Sequence, residues 1–142
     1  DLSSNIGTIS NNIEKDIFLK FDYSVLDESK KLYCGFFLSS SNGYITFISS
    51  DFYEEERFNK SAGNYQSICK IPGNTLAEDT YFIRAVVAEP KQDAKPIIHI
   101  DLKDVLSFQV VDKLTGNSAR KNHVGAYPGA VRPILKWELN VL

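Results

Sequence analysis

Ile17, Leu19, Phe21, Tyr23 and Val25 alternate with Lys20, Asp22 and Ser24, so apolar side chains recur at every second position. That period belongs to an extended strand with one wet face, because successive Cβ atoms of a strand point to opposite sides. The spacing returns along most of the chain. Residues 32–41 carry Leu32, Cys34, Phe36 and Leu38 on one side and Tyr33, Gly35, Phe37 and Ser39 on the other. Residues 65–71 set Tyr65, Ser67, Cys69 and Ile71 against Gln66, Ile68 and Lys70. Residues 80–88 point Tyr81, Ile83, Ala85 and Val87 inward and Phe82, Arg84, Val86 and Ala88 outward. A short strand is predicted over 96–101 and a longer one over 105–112, with Leu106, Phe108 and Val110 inward. No segment longer than about ten residues has helical periodicity.

The punctuation between these runs is that of turns. Asn42-Gly43 separates two alternating segments and predicts a tight hairpin, since both residues tolerate positive φ. Pro72-Gly73 turns the chain again. Leu76, Asp79 and Tyr81 follow the pattern of a tyrosine corner, in which a hydroxyl bonds back to the connecting backbone. Residues 51–64 form a long charged and aromatic loop with room for one helical turn, and loops of that length are usually functional or disordered. Residues 125–137, GAYPGAVRPILKW, bend at Pro128, Gly129 and Pro133 and then straighten. From Ile134 the residues alternate to the end, which predicts a closing strand paired with something distant. Residues 1–15 read as a lead-in with at most one short strand, and 16–142 as the domain proper. About eight short strands predict an all-β antiparallel β-sandwich of the jelly-roll or immunoglobulin-like kind.

A chain of 142 residues is enough for one domain with its own core. No apolar run approaches the roughly 18 residues of a membrane span. A net charge of −2 with scattered lysines and arginines argues against a nucleic-acid surface. The start at Asp1 instead of methionine is what a piece of a longer protein would show. Cys34 and Cys69 lack the spacing of zinc ligands; they are either buried thiols or an inter-sheet disulfide of an oxidising compartment. His99 and His123 have no third ligand nearby, so no metal site is expected, and no glycine pattern cradles a nucleotide phosphate. Neither a cofactor nor catalysis is expected, and Glu54, Glu55 and Glu56 read as a solvated loop.

What remains is a set of aromatics on faces that alternation keeps out of the core. Tyr33, Phe37 and Phe82 are these, with Gln66, Lys70, Arg84 and Gln109 available beside them. Such residues pack under a loop or a second subunit, or they bind sugar: aromatics cover the C–H patches of a pyranose while amides and guanidinium groups grip its hydroxyls. Arg84, Lys70 and His99 would suit an anionic terminal group.

Residues 116–137 (GNSARKNHVGAYPGAVRPILKW) and 67–87 (SICKIPGNTLAEDTYFIRAVV), with FDYSVLDE and FISSD in order before them, resemble the C-terminal domain of the ATP-binding subunit of bacterial O-antigen polysaccharide ABC exporters, the Wzt type. Asp79 and Lys121 stand where that family is expected to carry glycine. The resemblance implies a non-catalytic carbohydrate-binding module that recognises the modified non-reducing end of an O-antigen polysaccharide before export. It also implies a homodimer made by exchange of the C-terminal strand, ATP-binding and transmembrane subunits as partners, and a cytoplasmic place at the inner membrane. It supplies no ligand contacts, so the ligand-binding set rests on alternation: Tyr33, Phe37, Gln66, Lys70, Phe82, Arg84, His99 and Gln109. The other readings are a structural dimerisation or adaptor domain without glycan binding, and a disulfide-linked adhesion sandwich.

Overall fold

The computed structural model describes residues 9–28, 31–51, 60–91 and 94–142. Along them run seven strands: β1 Ile9–Asn12, β2 Ile17–Val25, β3 Tyr33–Ser39, β4 Ile45–Ser50, β5 Gly63–Ile71, β6 Asp79–Glu89 and β7 Ile97–Val111. Among the described residues there is no helix, and so none long and apolar enough to cross a membrane. Five strands form one sheet in the order β1-β7-β6-β3-β4, and β2 pairs with β5 in a second. Leu19 and Ile71 of the small sheet meet Phe36, Leu38, Tyr81, Ile83, Phe108 and Val110 of the large one in a single core. The two sheets therefore pack face to face.

Alternation decides which side chains enter that core. Register sets Phe36 opposite Ala85 and Leu38 opposite Ile83, then Ile83 opposite Leu106 and Tyr81 opposite Phe108. One apolar row thus crosses three strands. Phe21 reaches over from β2 to stack on Phe36 with ring centroids 5.8 Å apart, and Phe47 meets Phe36 edge-on at 6.0 Å. Side chains of this size contribute about 1.5–3 kcal/mol each when fully buried.

The architecture departs from the sequence reading in four places. First, the large sheet is mixed, because β1 runs parallel to β7 with Ile9 opposite Phe108. The sequence of β1, ISNN, has no alternation to reveal it, and an edge strand needs only backbone bonds on one side. Ile13 follows it into the core, so residues read as a lead-in supply both an edge strand and a core side chain. Second, the strands expected at 96–101 and 105–112 are one strand of 15 residues. Asp104 takes φ 49° inside it and the register against β6 shifts between Ile83 and Ala85, so the polar stretch that looks like a turn is a bulge. Third, the hairpin forms at Asn42-Gly43, but of these two only Gly43 has positive φ, at 78°. Gly43 N–H donates to Ser40 O and Ser40 N–H to Tyr44 O, both at 2.9 Å, which is a turn closed by a left-handed glycine with a three-residue loop. Fourth, residues 134–142 pair with no strand, leaving seven strands instead of eight. Extended backbone becomes a strand only when another strand takes up its N–H and C=O groups.

The helical turn expected within 51–64 falls largely on residues 52–59, outside the described residues. Cys34 and Cys69 are free thiols. Burial pushes the Cys34 thiol up to about 12 and raises that of Cys69 too.

The corner before β6 is where the two longest motif-bearing segments meet. The Tyr81 hydroxyl donates to Ala77 O at 2.9 Å, the tyrosine corner expected from Leu76, Asp79 and Tyr81. Residues 125–133 strap across this corner: Ala77 N–H donates to Ala130 O at 3.1 Å, and Arg132 N–H to Thr75 O at 3.0 Å. Glu78 lies between, accepting from Arg120 Nη1 at 2.5 Å and Arg132 Nε at 2.9 Å. Lys121, at a position where glycine is expected, takes the left-handed φ of 55° that glycine adopts at low cost.

Candidate functional site

The outward positions of β3, β6 and β7 build a continuous outer face on the large sheet. Phe37 lies directly opposite Arg84, Phe82 opposite both Ser39 and Ser107, and Gln109 opposite Thr80. Strand pairing thus brings together four of the eight sequence-derived residues. Tyr33, opposite Ala88, and His99, next to the Ile98–Ala88 pair, lie toward the end away from Gln109. His99 Nε2 sits 3.4 Å from Glu89 Oε2.

The centre of the face is an oriented guanidinium. Arg84 donates from Nε and Nη2 to the two carboxylate oxygens of Asp101 at 2.7 and 2.6 Å, a forked pair that holds it in one plane. Its Cζ stands 4.9 Å from the centroid of the Phe37 ring. Neither bond to Asp101 uses the second terminal nitrogen. The forked bond keeps the Asp101 carboxyl below the usual carboxylate range and raises Arg84 further, so both stay charged across the neutral range. Beside the pair lies a hollow of about 150 Å³ lined by Phe37, Ser39, Ile45, Arg84, Lys103 and Asp104. The bulge of β7 forms one wall. Such a surface offers an apolar ring, fixed donors and a positive centre within one patch.

Gln66 and Lys70 lie elsewhere. Both are on β5, on the outer face of the two-stranded sheet, which is the opposite side of the sandwich. Gln66 Nε2 donates to Asp22 Oδ1 at 2.7 Å, and Lys70 pairs with Asp16 at 3.3 Å. The Gly73 N–H and then Lys70 hold the Asp16 carboxyl low. Alternation gives inward and outward on each strand, but outward means opposite directions on the two sheets. Asp101 was missed as a site residue, although His99, Asp101 and Lys103 alternate with Ile98, Ile100 and Leu102 and so announce a polar row. Among the described residues no group of three or more His, Cys, Asp or Glu could hold a metal ion.

No protein-family model matches the sequence, and no curated protein matches it either. A solved structure described as the crystal structure of the C-terminal domain of wzt does match, with a TM-score of 0.51 over 75% of this chain. The chain has that domain's fold. Sequence identity between the two is 9%, so the likeness to wzt lies in the path of the backbone. This chain spans 64% of the length of the wzt domain chain.

Proposed function

We propose that the chain is a non-catalytic carbohydrate-binding module that recognises the modified non-reducing end of an O-antigen polysaccharide for export by an ABC transporter. The observation that carries this reading is the oriented Phe37–Arg84–Asp101 cluster beside an open hollow, on a fold shared with the C-terminal domain of wzt. A terminal sugar lays its C–H face on Phe37 and Phe82 and presents its cap to Arg84, with Tyr33, Gln109 and His99 along the same sheet. An uncapped end brings no acceptor to the Arg84 terminal nitrogen that Asp101 leaves unused, and that mismatch discriminates between the two ends. In the complete assembly the partners are the ATP-binding and transmembrane parts of the exporter, with the domain cytoplasmic and peripheral to the inner membrane.

Arg84→Ala is expected to weaken binding of capped O-polysaccharide at least tenfold in an amide NMR titration, while thermal unfolding barely moves because the ion pair is surface-exposed. Normal binding by this variant would remove the site from the outer face of the large sheet. A loss confined to Gln66→Ala would place it on the small sheet instead.

A second reading, a dimerisation domain, is favoured by the end of the chain. Trp137, Leu139 and Val141 are 89%, 96% and 97% exposed, which an isolated chain gains nothing by presenting to water. The segment 134–142 has the length of β2 and β5, nine residues each, and both of those strands have one side without a strand partner among the described residues. Ile100 and Leu102, opposite Val87 and Ala85, are exposed as well. We infer that the terminal segment is exchanged into a second copy, where it completes a sheet. Sedimentation should show a dimer for the full chain and aggregation for a chain ending at Pro133. A folded, soluble monomer from the shortened chain would count against exchange. A dimer without affinity for any glycan would leave dimerisation as the whole function.

A further inference from the structure

Along one side of the sandwich the sheets part. Neither β4 nor β5 has a strand beyond it among the described residues, and between them opens a cleft of about 240 Å³. Its floor is aromatic, formed by Phe21 stacked on Phe36 with planes 16° apart. Its rim is polar, formed by Ser49, Ser50 and Asp51 on one side and Ser67 on the other. Ser49 stands opposite Phe36 and Ser67 opposite Phe21, so both serines occupy inward positions that a sandwich normally fills with apolar side chains.

The Asp51 carboxylate is held at both oxygens. The Cys34 N–H donates to Oδ1 at 2.8 Å and the Ser67 hydroxyl to Oδ2 at 2.9 Å, with the Tyr23 hydroxyl 3.4 Å from Ser67 Oγ. Each oxygen keeps further acceptor capacity, in a fixed direction. The cleft is smaller than the roughly 300–1,000 Å³ of drug-sized sites, so it fits about one ring. An acceptor-rich rim calls for a ligand rich in O–H donors. A fixed carboxylate repels anions, and the lysine of the lining, Lys70, is already engaged by Asp16. The chemistry that meets all three conditions is a neutral polyhydroxylated ring with one apolar C–H face toward Phe21.

We propose that this cleft binds a single neutral sugar ring, separately from the Arg84 face, with Asp51 accepting from its hydroxyls and Ser67 and Ser50 orienting it. The proposal rests on the reading of the chain as a glycan-binding module. It adds a second site of opposite charge preference: the Arg84 face takes an acidic group and the cleft refuses one.

The test is an amide NMR titration of the full chain with the methyl pyranosides of glucose, galactose and mannose, and with methyl glucuronide, at the millimolar concentrations so small a ligand requires. At least one neutral pyranoside is expected to give saturable shifts at Ser49, Asp51, Ser67 and Cys69, with binding of the glucuronide at least tenfold weaker. Ser49→Leu, which fills the cleft, should abolish those shifts. Asp51→Asn, which keeps the shape and removes the charge, should narrow the gap between neutral and acidic ligands. No cleft response to any neutral pyranoside overturns the proposal, as does a response that Ser49→Leu leaves intact. If capped polysaccharide still shifts Phe37 and Arg84 in that case, glycan binding stands without the cleft; silence at both faces removes both.

Discussion

Phe36→Ala is expected to lower stability by about 3–5 kcal/mol, a large share of the roughly 5–15 kcal/mol that holds a domain of this kind together. Phe36 is 2% exposed and lies where the two sheets meet. It stacks on Phe21 from the small sheet and takes the edge of Phe47 from β4. Alanine removes both ring contacts and leaves a cavity that the strand backbones cannot close, because the β3 ladder is pinned on both sides by β4 and β6. Urea unfolding followed by far-ultraviolet circular dichroism measures the loss. Phe18→Ala is the matched control, since Phe18 is 57% exposed on the outer face of the small sheet and its removal should cost well under 1 kcal/mol. Equal effects for the two substitutions would mean that the sheets do not pack around Phe36.

Glu78→Ala should cost about 3 kcal/mol and release the strap at 125–133 from the corner. Glu78 is the anion shared by Arg120 and Arg132, and the Arg132 side chain is 6% exposed. Arg132 donates to the carbonyls of Tyr127 and Gly129 and lies 5.0 Å from the centre of the Tyr127 ring, while Arg120 reaches the carbonyls of His123 and Gly125. Removing the carboxylate leaves a buried guanidinium with carbonyls but no counter-charge. Burial would raise the Glu78 carboxyl, but the Arg120 hydrogen bond and the charges of both arginines outweigh it, and the net shift is downward. A folded-state value below the unfolded one means that this stabilisation is complete above the usual carboxylate range. It is lost as pH falls through the folded value. Protection of the amides at residues 125–133, taken relative to their intrinsic exchange rates at each pH, should therefore fall in acid for the native chain, and be low and nearly independent of pH over that range in Glu78→Ala. Unchanged exchange in the variant would show that backbone bonds alone hold the strap.

Period-2 alternation made β2 and β5 legible, because one face of each meets the core and the other meets water, whereas on β3 and β6 the positions read as outward at Gly35, Val86 and Ala88 are buried as well. Tyr81 was legible for another reason: its hydroxyl needs a partner once its ring is buried, and the preceding corner supplies one. β1 was not, since its pairing with β7 depends on backbone groups and hardly on ISNN. Asp104 hid the continuity of β7, because a polar residue at positive φ in a bulge looks the same in sequence as one in a turn. The outer-face cluster was half legible. Alternation brought Phe37, Phe82, Arg84 and Gln109 outward, but which sheet each strand joins is a tertiary fact, and Gln66 and Lys70 went to the other side. The cleft around Asp51 escaped because it lies between sheets, where a serine at an inward position reads as an imperfect core residue.

The parallel pairing of β1 with β7 also sets an order of events on the ribosome. Ile9 waits for Phe108, roughly a hundred residues downstream, so at synthesis rates of about 5–20 residues per second the first strand is exposed for some 5–20 s before its partner emerges. The β3–β4 hairpin and the β2–β5 pair close long before that. Docking of the amino-terminal edge then waits on β7, and a nascent chain stalled before β7 has its core without a side wall, a natural substrate for chaperones.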